Sequence, residues 1–180
     1  MRIKGKKIKI SQFVCLVLYY SVGVYLPKSQ SFFHIGCYVR RFLCKHIFKK
    51  CGKNVNVEKG AWFGSGYEIE LGDFSGIGIN AHIPNNTIIG NYVMMGPNCY
   101  ILDANHSFDD LSNPMMFQGR KPVQQTVIGN DVWIGRDVLM TPGRTIKDGS
   151  IIAARCVLTK DFPEYSIVGG NPGRLLKQRK

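Results

Sequence analysis

His106 is the side chain in this sequence best matched to proton transfer near neutrality. An unperturbed imidazole titrates at about 6.5, and a positioned general base typically contributes about 10²–10⁴-fold to a rate. It lies in residues 103–126, DANHSFDDLSNPMMFQGRKPVQQT, a stretch rich in Pro, Gly, Asn and Asp. Long loops on rigid scaffolds often carry function. Asp109 and Asp110 follow shortly after and could bond hydroxyl groups or orient the loop. On position alone, His106 serves equally well as a base or as a polar loop residue of no consequence. The six cysteines (Cys15, Cys37, Cys44, Cys51, Cys99 and Cys156) form no CxxC pair and no Cys/His zinc spacing. They read as reduced thiols acting as small hydrophobes in a reducing cytoplasm. Cys37, Cys44 and Cys51 recur every seven residues, which places them as packing along one helical face.

The scaffold that must position His106 is written in a period of six. An aliphatic residue returns at Ile128, Ile134, Met140, Ile146, Ile152 and Leu158. The same spacing runs upstream through Leu71, Ile77, Ile83, Ile89, Met95 and Ile101, with Val57 and Phe63 beginning it. Glycine follows directly at Gly64, Gly72, Gly78, Gly90, Gly96, Gly129 and Gly135. Four positions after each aliphatic stands a mostly small residue, for example Ala61, Ser75, Ala81, Cys99 and Cys156. A helical face favours spacings of three and four, and a plain strand alternates at two. Six suits one short strand plus one turn, so three units close a triangular coil and stacked coils bury the aliphatics. The glycines are expected to supply turn conformations that side chains resist. Arg144 occupies a position where a small inward residue is expected, which sends it to a corner or toward a neighbouring subunit.

The 180 residues fit one domain, divided as a helical basic arm (1–53), a β-helix with the inserted loop 103–126 (54–165), and a tail (166–180). The net charge of +12 sits entirely on the arm. Residues 1–53 carry 12 Lys/Arg and no acid, whereas residues 54–180 carry 12 Lys/Arg against 12 Asp/Glu. After the basic start (Arg2, Lys4, Lys6, Lys7, Lys9), the apolar run 13–26 imitates a secretory signal but lacks a small-x-small cleavage site. Its 14 residues fall short of the ~20 needed to cross a bilayer. Residues 32–53 then predict an amphipathic helix, with Ile35, Tyr38, Val39, Phe42, Leu43 and Ile47 at helical spacing. Arg40, Arg41, Lys45 and Lys49 fall largely elsewhere around it. Such an arm would cap the open end of the solenoid and rest on an anionic cytoplasmic membrane face. Nucleic-acid binding fits the charge but has no supporting motif.

Residues 51–176 resemble the hexapeptide-repeat O-acetyltransferases, the group holding maltose and galactoside acetyltransferases. They are more similar still to acetyltransferases of capsule and exopolysaccharide synthesis. The match is carried by GINAHIP (78–84), IIGNYVMMGPNCYILDANHSFDD (88–110), IGNDVWIGRDVLMTPG (128–143) and IIAARCVLTKDFPEYSIVGGNPGRLLK (151–177). The resemblance implies an all-β fold, a left-handed parallel β-helix with an N-terminal helical arm. It implies that His106 deprotonates an acceptor hydroxyl, which attacks the thioester of acetyl-CoA directly and without a metal. It makes Asn80 a contact to the acceptor sugar, the alternative being an Asn that serves only a solenoid corner. Trp133 would pack beside the acyl-donor channel, and Ala154 with its neighbouring backbone would meet the pantetheine arm. Thr159, Lys160 and Arg174 would contact the cofactor, the cations suiting its phosphates. Arg136 and Arg155 replace small corner residues, so contacts there would rest on backbone amides. A homotrimer would form the site between two subunits.

The arm favours a polysaccharide or lipid-linked sugar precursor as acceptor over an antibiotic or serine. Two readings from other classes remain. A zinc hydrolyase of the β-helical carbonic anhydrase type needs three converging histidines, whereas His34, His46, His82 and His106 include no close pair. A non-catalytic assembly solenoid accounts for the repeats but for neither the His106 loop nor the tract from TKD to GGNP.

Overall fold

The computed structural model describes residues 2–3, 6–31 and 33–180, beginning with two short antiparallel strands, β1 (Arg2–Ile3) and β2 (Lys6–Lys7). Lys4 of the basic start and Phe32 of the expected arm helix lie outside the described residues. From Lys50 onward the chain winds as a left-handed parallel β-helix whose strands are mostly two residues long. Each hexad supplies one strand and one turn.

Three faces result. The first stacks β3 (Lys50–Cys51), β5 (Glu70–Leu71), β7 (Ile88–Ile89), β10 (Val127–Ile128) and β13 (Thr145–Ile146). The second stacks β4 (Asn56–Val57), β6 (Gly76–Ile77), β8 (Met94–Met95), β11 (Trp133–Ile134), β14 (Ile151–Ile152) and β16 (Ser166–Gly169). The third holds β9 (Tyr100–Ile101), β12 (Leu139–Met140) and β15 (Val157–Leu158), extended by bridges from Tyr100 to His82 and on to Trp62. Pairing is in register: Ile128 lies against Ile89 on one side and Ile146 on the other. The second residue of each strand therefore points inward and stacks on its equivalent one coil away. Ile77, Ile134, Met140, Ile152 and Leu158 are all buried, and each contributes about 1.5–3 kcal/mol of transfer free energy. The small residues four positions later, including Ala61, Ala81, Cys99 and Cys156, fill the corners and are fully buried.

Of the glycines that follow the aliphatics, Gly64 takes the expected left-handed turn conformation, but the others act differently. Gly78 and Gly90 do not adopt the left-handed backbone conformation. A Cβ on Gly78 would stand 2.1 Å from the Gly96 carbonyl oxygen, and one on Gly90 2.6 Å from that of Gly129. Glycine is needed there because successive coils touch. Much of the left-handed work falls to Asn54, Asn80, Asn98, Asp131, Asp137 and Arg155; Asn and Asp tolerate that region best among side-chain-bearing residues. Their neighbours also bond the stack together. The amides of Lys53, Asp73, Asn91 and Asn130 donate to Asp73 (2.7 Å), Asn91 (2.7 Å), Asn130 (2.9 Å) and Asp148 (2.8 Å) respectively.

Two helices, α1 (Ile10–Ser21) and α2 (Ile35–Ile47), close the N-terminal end. The Tyr19 and Tyr20 hydroxyls donate to the carbonyls of Ala61 and Gly64, both at 2.8 Å, while Ile47, Phe48 and Tyr19 join the core around Phe63. The arm departs from expectation in two ways. α2 stops at Ile47, because Lys50 and Cys51 pair with Glu70 and Leu71 as the first strand of the solenoid. Cys51 therefore leaves the helical face that holds Cys37 and Cys44. In line with an arm that both caps the solenoid and faces outward, the apolar face divides: Leu43 and Ile47 are buried, whereas Ile35, Tyr38 and Phe42 are exposed. Arg40, expected away from the apolar side, is wholly buried and donates to the carbonyls of Val57, Gly23, Leu26 and Pro27. No helix among the described residues is long and apolar enough to cross a membrane. At the other end the stack continues past residue 165. Strand β16 pairs in parallel with β14, and β17 (Arg174–Gln178) then pairs antiparallel to β16.

Candidate active site

The loop carrying His106 leaves the stack at the corner between the third and first faces. It braces itself as a hairpin. His106 bridges Arg120 across it, the Ser107 amide donates to Gly119 (3.0 Å), and the Lys121 amide donates to Asn105 (2.8 Å). At its base Arg120 pairs with Asp103 at 2.8 Å. The Gln118 side chain ties the tip by donating to the carbonyls of Asp110 (2.7 Å) and Asn113 (2.6 Å). Asp110 accepts from the Ser112 amide and hydroxyl, which hold its carboxyl below the usual range. Asp109 pairs with Lys121 at 3.1 Å. The backbone of His106 is thus fixed while its side chain stands exposed.

The expected site residues fall into two groups. Thr159 and Lys160 share the His106 corner, because Leu102, Thr141 and Thr159 follow equivalent strand ends and Thr141 bonds the Leu158 carbonyl (3.0 Å). A 200 Å³ pocket lies between the loop base and this column, lined by Ala104, Asn105, Lys121, Thr141 and Arg144. Arg144 turns to the same corner, donating to Thr159 (3.1 Å) and pairing with Asp161 (3.4 Å). Trp133 and Arg174 lie elsewhere, on the second face, with Trp133 half exposed at 51%. Asn80 and Ala154 occupy the corner between the second and third faces. Asn80 takes a left-handed conformation and donates to Asn98 (3.3 Å), which donates to Asp137 (2.9 Å). This ladder is the corner role weighed for Asn80 from the sequence. Within one chain, the third face separates the two groups.

That face carries a column of rings. Trp62 stacks on His82 (6.1 Å between centroids) and His82 on Tyr100 (4.5 Å). Burial pushes the His82 imidazole below its usual titration range, partly opposed by Asp103. Burial likewise raises the thiols of Cys51 and Cys99 to about 11, so neither supplies a thiolate near neutrality. Among the described residues, no group of three His, Cys, Asp or Glu could hold a metal ion.

Sequence reasoning misses a hollow on the second face. Gly76 presents no side chain where Asn56, Met94 and Trp133 present theirs. The resulting 280 Å³ hollow is lined by Asn54, Asn56, Glu58, Phe74 and Met94, among others. Gly76 is the legible signal, standing as the only glycine at an outward position of that face's two-residue strands. Strands lie about 4.8 Å apart, so Trp133, two strands along, is roughly 10 Å from it.

Residues 125–160 match the model of the bacterial transferase hexapeptide (six repeats). The chain is 31% identical over 141 residues to the galactoside O-acetyltransferase of Escherichia coli K12, covering 77% of this chain and 68% of that protein. It is 32% identical over 137 residues to a chloramphenicol acetyltransferase of Agrobacterium fabrum, covering 74% of this chain. The chain spans only 60% of the length of that relative. A crystal structure of a hexapeptide-repeat acetyltransferase from Vibrio cholerae, complexed with acetyl coenzyme A, superposes with a TM-score of 0.74 at 27% identity. That match covers 94% of this chain and 86% of the other. The chain belongs to the hexapeptide-repeat acetyltransferase family.

Proposed function

We propose that the protein transfers the acetyl group of acetyl-CoA to a sugar hydroxyl, with His106 as general base. The observation carrying this reading is the placement of His106 on a self-braced loop, at the same corner as Thr159 and Lys160. The acceptor would belong to a polysaccharide or lipid-linked oligosaccharide precursor. The hollow beside Gly76 suits it, offering the Asn54 amide for hydroxyls, and Phe74 and Met94 for the apolar ring edges. Acetyl-CoA supplies an activated thioester. The residues fit this donor: Trp133 and Ile151 form an apolar strip on the second face, and Arg174 lies on the strand pairing with β16. Strand β17 lies about 14 Å from Trp133 along that face. Lys160 would add a phosphate contact from the other corner.

The two groups meet only if the loop of one subunit reaches the second face of the next. The loop exposes Phe108, Leu111, Met115, Met116, Phe117 and Val123, and Leu111 is 99% exposed. Apolar patches of this kind mark interfaces. A head-to-tail contact that closes gives a ring, here a homotrimer with three shared sites. In each, His106 accepts the hydroxyl proton as the acceptor oxygen forms its bond to the acetyl carbon. The carbon–sulfur bond then breaks, and the departing thiolate recovers the proton from His106. Asp109 and Asp110, bound to Lys121 and Ser112, would set the loop's shape more than touch the sugar.

The test is thiol release from acetyl-CoA by wild-type and His106→Ala protein, against nucleotide-linked sugars, lipid-linked sugars and chloramphenicol. Sugar-dependent release lost in the variant supports the reading. Release with chloramphenicol alone would favour an antibiotic acceptor, the reading that the Agrobacterium relative's name motivates. No release with any acceptor, together with no CoA-induced rise in melting temperature, would sink both.

A further inference from the structure

We propose that the paired helices α1 and α2 dock the protein end-on onto an anionic lipid bilayer. The inference deepens the lipid-linked acceptor reading, but its own observations concern a different surface. Each helix has completed its packing and still shows a second apolar stripe. On α1, Tyr19 is fully buried against the solenoid, while Ile10, Val14, Val17 and Leu18 are exposed by 75, 48, 50 and 46%. Those four positions share one side of the helix, opposite Tyr19. On α2, Arg40, Cys44 and Ile47 are fully buried, while Ile35, Tyr38 and Phe42 are exposed by 57, 60 and 60% at helical spacing. Val22 and Tyr25, exposed between the helices, extend the apolar surface.

Charge selects the occupant. The segment to residue 53 holds 12 Lys/Arg and no acid, while the remainder is balanced. Arg40 is consumed inside the fold and Lys49 pairs with Glu70, but Lys9, Lys28 and Lys45 are exposed around the stripes. A second copy of so basic a surface would repel the first. An anionic headgroup layer over acyl chains satisfies both the cations and the stripes. At 12 residues α1 spans about 18 Å, short of a bilayer core, so it would lie in the interface. The Ser29 amide, between the helices, donates to Glu58 at 3.0 Å. Docking would therefore bring the hollow that Glu58 lines close to the headgroups, where the sugar of a lipid-linked acceptor resides. If the chain assembles as a parallel ring, three arms would meet one surface together.

The experiment is sedimentation of the full chain with vesicles of phosphatidylcholine alone, or with phosphatidylglycerol added. Wild-type protein should partition at least about tenfold more strongly onto the anionic vesicles, and less as salt rises. The double variants Val14→Ser/Val17→Ser and Tyr38→Ser/Phe42→Ser change exposed positions, so circular dichroism should remain native. Each should lose about tenfold in partition. Equal partition of native-like variants and wild type would overturn the proposal, as would failure of the wild type to pellet. A smaller oligomer in the variants, with no change in pelleting, would assign the stripes to a second copy and also overturn it. A protein that pellets as expected, yet releases no thiol with any acceptor and gains no stability from CoA, supports the docking and removes the reading above.

Discussion

In the coils, the residues that repeat every six positions stack on their equivalents one coil away, and all but the half-buried Met95 are buried. In residues 103–126, by contrast, only Ala104 and Thr126 are buried. The coils gain stability from apolar columns and in-register pairing. The loop keeps its shape through hydrogen bonds made within itself, as between Gln118 and Asp110 or His106 and Arg120. Both expose apolar groups, but the coils' exposed rings, such as Tyr92 and Trp133, are about half exposed, whereas Leu111 at the loop is 99% exposed. Stability and chemistry therefore occupy different segments of one chain, and substitution should be able to pull them apart.

The strongest separation should come from His106→Ala. We expect kcat/KM for acetyl transfer to fall by about 10²–10⁴-fold, with the thermal midpoint unchanged, because this exposed side chain supports no packing. A lowered midpoint would show that the loop also carries stability. The mirror image is Ile134→Ala in the core column. Removing a fully buried isoleucine should cost about 2–5 kcal/mol in denaturant unfolding, while kcat of the protein still folded stays near wild type.

How much of this division is legible in the sequence follows from what fixes each part. The aliphatics from Ile128 to Leu158 announce the solenoid, because a period of six fits neither a helical face nor a plain strand. His106 stands out because the period ends just before it. The reason for the glycines is not legible: whether Gly78 serves a turn or a close contact depends on where Gly96 lies one coil away. The arm escapes a sequence reading for a related reason. Periodicity reports an apolar face, but not that one part of it meets Phe63 while Tyr38 and Phe42 meet solvent. Arg40 shows the limit most clearly. Its burial depends on four carbonyls supplied by Val57, Gly23, Leu26 and Pro27, a constellation that no local pattern encodes. Trp133 and Lys160 can be picked out as separate residues, but their division between the second face and the opposite corner exists only in three dimensions.

That division predicts a class of loop variants intermediate in effect. Leu111→Ser with Met116→Ser should leave monomer unfolding unchanged, because both side chains are exposed. It should shift the protein toward smaller species in sedimentation velocity and lower activity in parallel with the loss of assembly. Full activity from a monomer would show that one chain completes its own site, and would remove the shared-site reading. Smaller again is Lys160→Ala, expected to raise KM for acetyl-CoA by roughly three- to tenfold with kcat retained, as fits an exposed phosphate contact. A fall in kcat alone would place Lys160 beside the reacting atoms instead.

The smallest effect tests the coil side of the comparison, at the seam with the arm. Burial alone would raise the Glu58 carboxyl. The Ser29 hydroxyl and amide, the Asn56 side chain and Arg40 outweigh it and hold the group below its ordinary range. A carboxylate whose pKa is lower in the folded chain stabilises the fold above its unfolded value of about 4.3, and that contribution disappears as pH falls through the folded value. The wild-type thermal midpoint should therefore exceed that of Glu58→Gln at neutral pH, and the two should converge on acidification below about pH 4. Parallel curves would mean that the Ser29–Glu58 contact contributes nothing to closing the solenoid. In that case the arm would be held without that contact, by Tyr19, Tyr20, Ile47, Phe48, Arg41 and the Arg40 carbonyl cage, and the polar seam would be free to serve the hollow it borders.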